Sequence, residues 1–159
     1  MILIVLAGGI LILVIRGGSF DREDYLQRAE YWIQKGKREQ AYYSLEKALE
    51  KSRKAYGEIS GETAEIYRKL AGQERDLSRG GEFFDRAIKI YQLEGLEEQV
   101  WETYFEKGCM YLLGKKATSE QAEDAFLKVI ENTDIASCEN TDNLCLSFYY
   151  VSLYQYGLE

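Results

Sequence analysis

From residue 22 onward, apolar and small residues recur every three or four positions, the period of an amphipathic helix. Tyr25, Ala29, Trp32 and Ile33 form one stripe, and Ala41, Leu45, Ala48 and Leu49 form the next after a break at Gly36-Lys37. This predicts a helix, a short turn and a second helix running on to Tyr56. Small side chains at Ala29, Ala41 and Ala48 let two antiparallel helices approach closely, while Trp32 and Leu45 fill the space beside them. The same periodicity predicts helices over 62–77, 82–93, 98–113, 119–131 and 142–156. The turn GKKATSE offers Ser119 or Thr118 as the N-cap of the helix over 119–131.

The first eighteen residues obey a different pattern. Ile2, Leu3, Ile4, Val5, Leu6, Ile10, Leu11, Ile12, Leu13, Val14 and Ile15 sit in one uncharged block closed by Arg16. Its fourteen residues after the start Met would span roughly 21 Å as a helix, short of the ~30 Å hydrocarbon core unless the bilayer thins locally. The reading adopted is a single-pass membrane anchor over residues 1–18, followed by one folded domain over 19–159. A cleaved secretory signal competes, with Gly17-Gly18-Ser19 as small residues for cleavage, but no Lys or Arg precedes the block. A buried core segment is the third reading. Arg16 and Arg22 follow the block, which by the positive-inside tendency puts the domain on the cytoplasmic, matrix or stromal side.

Composition narrows the chemistry. The 159 residues are 46% apolar and 30% charged, with no proline, which favours a packed helical domain. A net charge of -7 argues against nucleic acid, whose phosphates want a basic face. Histidine is absent, which removes the commonest general base and metal ligand and excludes Ser-His and Cys-His nucleophile systems. Cys109, Cys138 and Cys145 are too few for a disulfide scaffold. Cys138 and Cys145 would pair only in an oxidising compartment, and small residues on or near a helix is the plainer reading. They also lack the spacing of a metal site. No phosphate-loop or dinucleotide motif occurs. The expectation is a protein without catalytic activity, cofactor or metal.

The stretch GKREQAYYSLEKAL and the helix before it resemble the tetratricopeptide repeat (TPR). Ala29, Ala41 and Ala48 fall on the family's small positions, Trp32 and Leu45 on its large ones, and Gly36 on its glycine. The long second helix and the Gly57 and Gly61 corner resemble the roughly 42-residue variety of kinesin light chains. In the second unit Phe84 and Ala87 match, while Gly80 departs from the pattern. In the third, Gly108, Tyr111, Ala122, Phe126 and Val129 carry the resemblance. The resemblance covers residues 22–157 and implies an all-α, right-handed superhelix of about three helix pairs with a lone C-terminal capping helix.

The resemblance also implies a concave face lined by the first helix of each pair. Its positions fall on Glu23, Leu26, Glu30, Ile33 and Gln34, then Glu62, Glu65, Lys69, Gly72 and Gln73, then Glu102, Phe105, Cys109, Leu112 and Leu113. The Lys and Asn set of chaperone-binding members is missing. The lining is acidic at one end and apolar at the other, complementary to a basic or amphipathic helical segment; simple solvation of the glutamates is the alternative. The last helix carries Phe148, Tyr149, Tyr150, Tyr154 and Tyr156 with almost no polar face. One stripe packs on the third unit, and the other marks a partner contact, a self-dimer or burial by the loop at 132–141. The expected function is a membrane-anchored scaffold or assembly factor that binds protein subunits of a membrane complex. A permanent structural subunit and an exported soluble binding protein are the alternatives.

Overall fold

The computed structural model describes residues 20–114, 119–132, 146–147 and 149–151. Six helices lie among the described residues: α1 (Arg22–Gln34), α2 (Arg38–Tyr56), α3 (Gly61–Gln73), α4 (Leu77–Glu94), α5 (Glu97–Leu113) and α6 (Ser119–Asn132). Helical residues recur at 146–147 and 149–151. Among the described residues there is no strand, and no helix is long and apolar enough to cross a membrane. The proposed anchor over residues 1–18, the cysteines Cys138 and Cys145, and the loop at 132–141 beyond Asn132 lie outside the described residues, as do Phe148, Tyr154 and Tyr156.

Each helix packs on its neighbours in sequence: α1 on α2, α2 on α3, and so on to α6. This is the nearest-neighbour architecture of a helical repeat. One core runs through the first two pairs and into α5, joining Leu26, Ala29, Leu45, Ala48 and Leu49 to Ile66, Tyr67, Leu70, Ala87, Ile88 and, on α5, Val100. The third pair has its own cluster of Tyr111, Ala122, Phe126 and Val151. Val129 and Trp101 pack beside it.

Local chemistry sets the boundaries. Asp21 caps α1 through a reciprocal capping box: Asp24 N donates to Asp21 Oδ1 at 3.0 Å and Asp21 N donates to Asp24 Oδ2 at 3.0 Å. Ser60 and Asp76 cap α3 and α4, accepting from Thr63 N at 3.2 Å and Arg79 N at 3.1 Å. Helices α1 and α4 end the same way. Gly36 (φ 65) donates to the Ile33 carbonyl while Lys37 N reaches back to Trp32 O at 2.9 Å. Gly95 (φ 70) donates to the Gln92 carbonyl while Leu96 N reaches Tyr91 O at 2.9 Å. Both closures require a left-handed residue, which glycine adopts without a Cβ penalty.

Five expectations change here. The second pair is α3 over 61–73 and α4 from Leu77, rather than 62–77 and 82–93. The Gly80-Gly81 pair, left between those two expected helices, lies inside α4, where the missing side chains admit α5. A Cβ on Gly80 would stand 2.8 Å from Met110 Sδ, and one on Gly81 would collide with the Tyr111 hydroxyl. Successive first helices start at Arg22, Gly61 and Glu97, spacings of 39 and 36 residues, shorter than the 42-residue variety. Trp32 is only half-buried and lies edge-on to Tyr31, with ring centroids 5.0 Å apart, because the core beside Ala29 is filled by Leu26 and Leu45. Tyr150 turns inward, stacked 5.2 Å from the Phe126 ring.

The joint between the first and second pairs is polar. Thr63 Oγ1 donates to the Gly57 carbonyl at 2.9 Å and accepts from Ser60 Oγ at 3.0 Å. Ser52 Oγ lies 3.0 Å from the same Thr63 oxygen. With the Thr63 proton committed to Gly57, Ser52 is the donor in that contact. Ser52 and Thr63 are fully buried. Thr63→Val keeps the shape but strands these partners, so a loss of about 1–3 kcal/mol is expected in urea unfolding. Adding Ser52→Ala should recover part of it, and a fully additive double variant would rule the network out.

Candidate functional site

The inner wall of the stack is built by α1, α3 and α5, one above another, and two adjacent residues of α3 tie it together. Lys69 Nζ reaches Glu30 Oε1 on α1 at 2.9 Å and Glu65 Oε1 on its own helix at 3.4 Å. Arg68 reaches in the opposite direction, with Nη1 3.0 Å from Glu102 Oε2 and Nε 3.7 Å from Glu106 Oε2 on α5. Both cations are mostly covered, at 23% and 26% side-chain exposure, so these pairs are shielded better than free surface pairs. Tyr91 from α4 lies behind the wall, and burial pushes its phenol up to about 12, so it stays neutral. An open cleft at the α3–α5 boundary is rimmed by Glu62, Glu65, Arg68, Glu94 and Glu102 over Tyr91 and Leu96.

The wall differs from the lining expected of the sequence. Leu26 is buried in the core, at 6% exposure, since α1 turns that face to α2 and α3. Glu23, Glu30, Ile33 and Glu62 are exposed, and Glu65, Lys69 and Glu102 are partly so. Phe105 is half-buried against the third pair, its ring 5.8 Å from that of Phe126. Arg68, absent from the expected lining, is central. In the second unit the small residue facing Gly80 is Ala71, whose carbonyl oxygen lies 3.5 Å from where a Gly80 Cβ would be. The lining expected of the second unit, Glu62, Glu65, Lys69, Gly72 and Gln73, passed over Arg68. The signal was present: Ala64, Tyr67 and Ala71 form a better apolar stripe than one passing through Arg68.

Apart from half-buried Trp32, the small and large packing positions are buried. Ala29, Ala41, Leu45, Ala48 and Ala87 are fully buried, with Phe84, Ala122 and Phe126 at 3% exposure or less. Gly108 is buried beneath the Phe126 ring and Tyr111 packs beside them. On the last helix Tyr149 is 57% exposed, while Val151 and Ser147 are buried.

The wall's electrostatics predict a pH effect. Partial desolvation raises the Glu106 carboxyl above its ordinary value, Arg68 opposes this, and Glu102 adds repulsion. A carboxylate raised in the folded state binds protons more readily folded than unfolded. It therefore costs stability once pH climbs above the ordinary value of 4.5. Glu106→Gln is expected to raise thermal stability slightly at pH 7 and to lose that advantage below pH 4.5. The side chain is 47% exposed, so solvent screening keeps the gain to a few tenths of a kcal/mol. A variant destabilised at pH 7 would show that the Arg68 pair outweighs desolvation.

Among the described residues no three Cys, Asp or Glu side chains converge as metal ligands. The arrangement is a set of ordered charges beside an open cleft.

No known family pattern matches the chain, and no curated protein sequence matches it. Among solved structures it is similar to BtubC (BKLC) from P. vanneervenii, a kinesin-light-chain-like helical repeat fold, with a TM-score of 0.67 and 22% identity. The likeness covers 84% of this chain and 55% of that one, so the chain spans about half the length of its neighbour. Identity at that level speaks for the fold alone. The chain thus has the fold of a helical repeat protein, three stacked helix pairs whose first helices share one inner wall.

Proposed function

We propose that the chain is a membrane-anchored adaptor of the TPR type, an accessory or assembly factor that holds a segment of another protein against its inner wall. The observation that carries this reading is the wall itself. Arg68 and Lys69 neutralise only part of a surface that also presents Glu23, Glu30, Glu62, Glu65, Glu102 and Glu106. The remaining acidity favours a basic or amphipathic helical segment, whose cations would exchange with Arg68 and Lys69 for the same carboxylates. The apolar block over residues 2–15 supports the anchor, and the absence of histidine supports a binding role over a catalytic one. The cytoplasmic, matrix or stromal side remains the orientation favoured by Arg16 and Arg22.

The test is a pull-down of the full-length chain in mild detergent, with identification of what stays bound after a salt wash. A defined set of membrane-complex subunits is expected. Reversing Glu30 and Glu62 to Lys should reduce their recovery at least fivefold while helicity holds. Recovery indifferent to both reversals would remove the inner wall from the mechanism.

A further inference from the structure

We infer that the N-terminal end of the stack, formed by Phe20, Tyr56 and Ile59, is a lipid-facing foot that rests in the bilayer interface and fixes the tilt of the repeats over the membrane. The inference rests on the anchor reading proposed above. Phe20 begins the described chain, Tyr56 closes α2, and Ile59 lies in the turn that leads into α3. All three therefore sit at one end of the first helix pair. They are 51%, 50% and 57% exposed, three large apolar side chains left uncovered at one end of the pair. Phe20 and Tyr56 line the same shallow groove, together with Asp21, Arg22, Glu23, Lys51 and Ala55. The Phe20 ring is braced against Tyr25 at 5.7 Å and the Arg22 guanidinium lies over the Tyr56 ring at 5.2 Å, so the aromatic groups are held in place.

The tether leaves this end little freedom. Five residue steps separate Ile15, the last apolar residue of the N-terminal block, from Phe20. At full stretch they cover about 18 Å. With the block in the hydrocarbon core, Phe20 is thus held at or just above the headgroup layer, where aromatic side chains partition favourably. Much of the charge nearby is engaged within the protein, and the Asp21 and Asp24 carboxylates each accept from the other's backbone N–H. Arg53 Nε lies 2.6 Å from Glu58 Oε2, Lys54 Nζ 2.7 Å from Glu50 Oε1, and Arg22 Nη2 3.6 Å from Glu23 Oε2. Contact is accordingly apolar and aromatic and does not depend on anionic lipid.

The full-length chain would carry Ile59→Cys with the three native cysteines replaced by alanine, a nitroxide label and phosphatidylcholine nanodiscs as the membrane. Circular dichroism matching the unsubstituted chain checks the fold. Collisions with lipid-soluble oxygen should exceed those with a water-soluble nickel chelate severalfold at position 59. A label at Ser78→Cys, in the first turn of α4 at the opposite end of the pairs, should show the reverse. Adding phosphatidylserine should leave both ratios unchanged. If the two labels respond alike while the chain stays in the nanodisc, the foot is overturned and the anchor survives. If the ratio at 59 rises only with phosphatidylserine, the contact is ionic and the apolar foot is overturned. A chain that never enters the nanodisc overturns the anchor, and the foot with it.

Discussion

Gly108→Val is expected to lower stability by about 2–4 kcal/mol and to loosen the third helix pair. A Cβ at this position would lie 2.6, 2.8 and 2.9 Å from Cε1, Cδ1 and Cζ of Phe126. The ring has no room to retreat, because Phe105 flanks it at 5.8 Å and Tyr150 is stacked on it at 5.2 Å. Valine adds two further methyl groups and must therefore displace α6 from α5. Gly72→Ala is the matched control. It too is a helical glycine, but nothing lies within 4 Å of its would-be Cβ. That change should be neutral or stabilising by up to about 1 kcal/mol, from helix propensity alone. Urea unfolding followed by circular dichroism would read both variants. Equal effects at the two glycines would mean that close helix approach is not what Gly108 provides.

Ala41→Glu should be as damaging in the first pair. Ala41 is fully buried between α1 and α2. A carboxylate there finds no compensating charge, and stranding one in a core costs about 3–5 kcal/mol. Tyr43→Glu, two residues away and 55% exposed in the same helix, separates burial from helix propensity and should cost under about 1 kcal/mol. A melting temperature unchanged by Ala41→Glu would contradict the packing of α1 against α2.

The contrast between these sites explains what the sequence made legible. Ala29, Ala41, Leu45 and Ala48 declare themselves through spacing within single helices, and the structure buries each of them. Gly80 and Gly81 mislead for a physical reason. A glycine pair has the same local signature whether it makes a turn or clears space for another helix, and Met110 and Tyr111, the side chains that occupy that space, lie thirty residues away in sequence. The same blindness to long-range contacts hid Arg68, whose partners Glu102 and Glu106 come from α5. It also left Tyr150 looking like a free aromatic until Phe126 was beside it. For the inner wall, the acidic character was readable from composition along the first helices. The alternation of cation and carboxylate from one helix to the next was not, since it exists only once the pairs are stacked.

The two joints of the stack are made of different materials. Between the first and second pairs, the Ser52, Ser60 and Thr63 hydroxyls and the Gly57 carbonyl form directional bonds that hold one alignment and yield abruptly when it is lost. Between the second and third pairs, bare glycine backbone meets Met110 and Tyr111, and the polar ties are ion pairs on long side chains, Arg68 with Glu102 and Glu106 and Lys107 with Asp85. Pulled along its length, the stack would act as a short, stiff latch in series with a joint whose long ionic side chains can extend before they part. Small loads would be taken up as bending at the far joint, leaving the geometry near the first pair intact until the latch breaks.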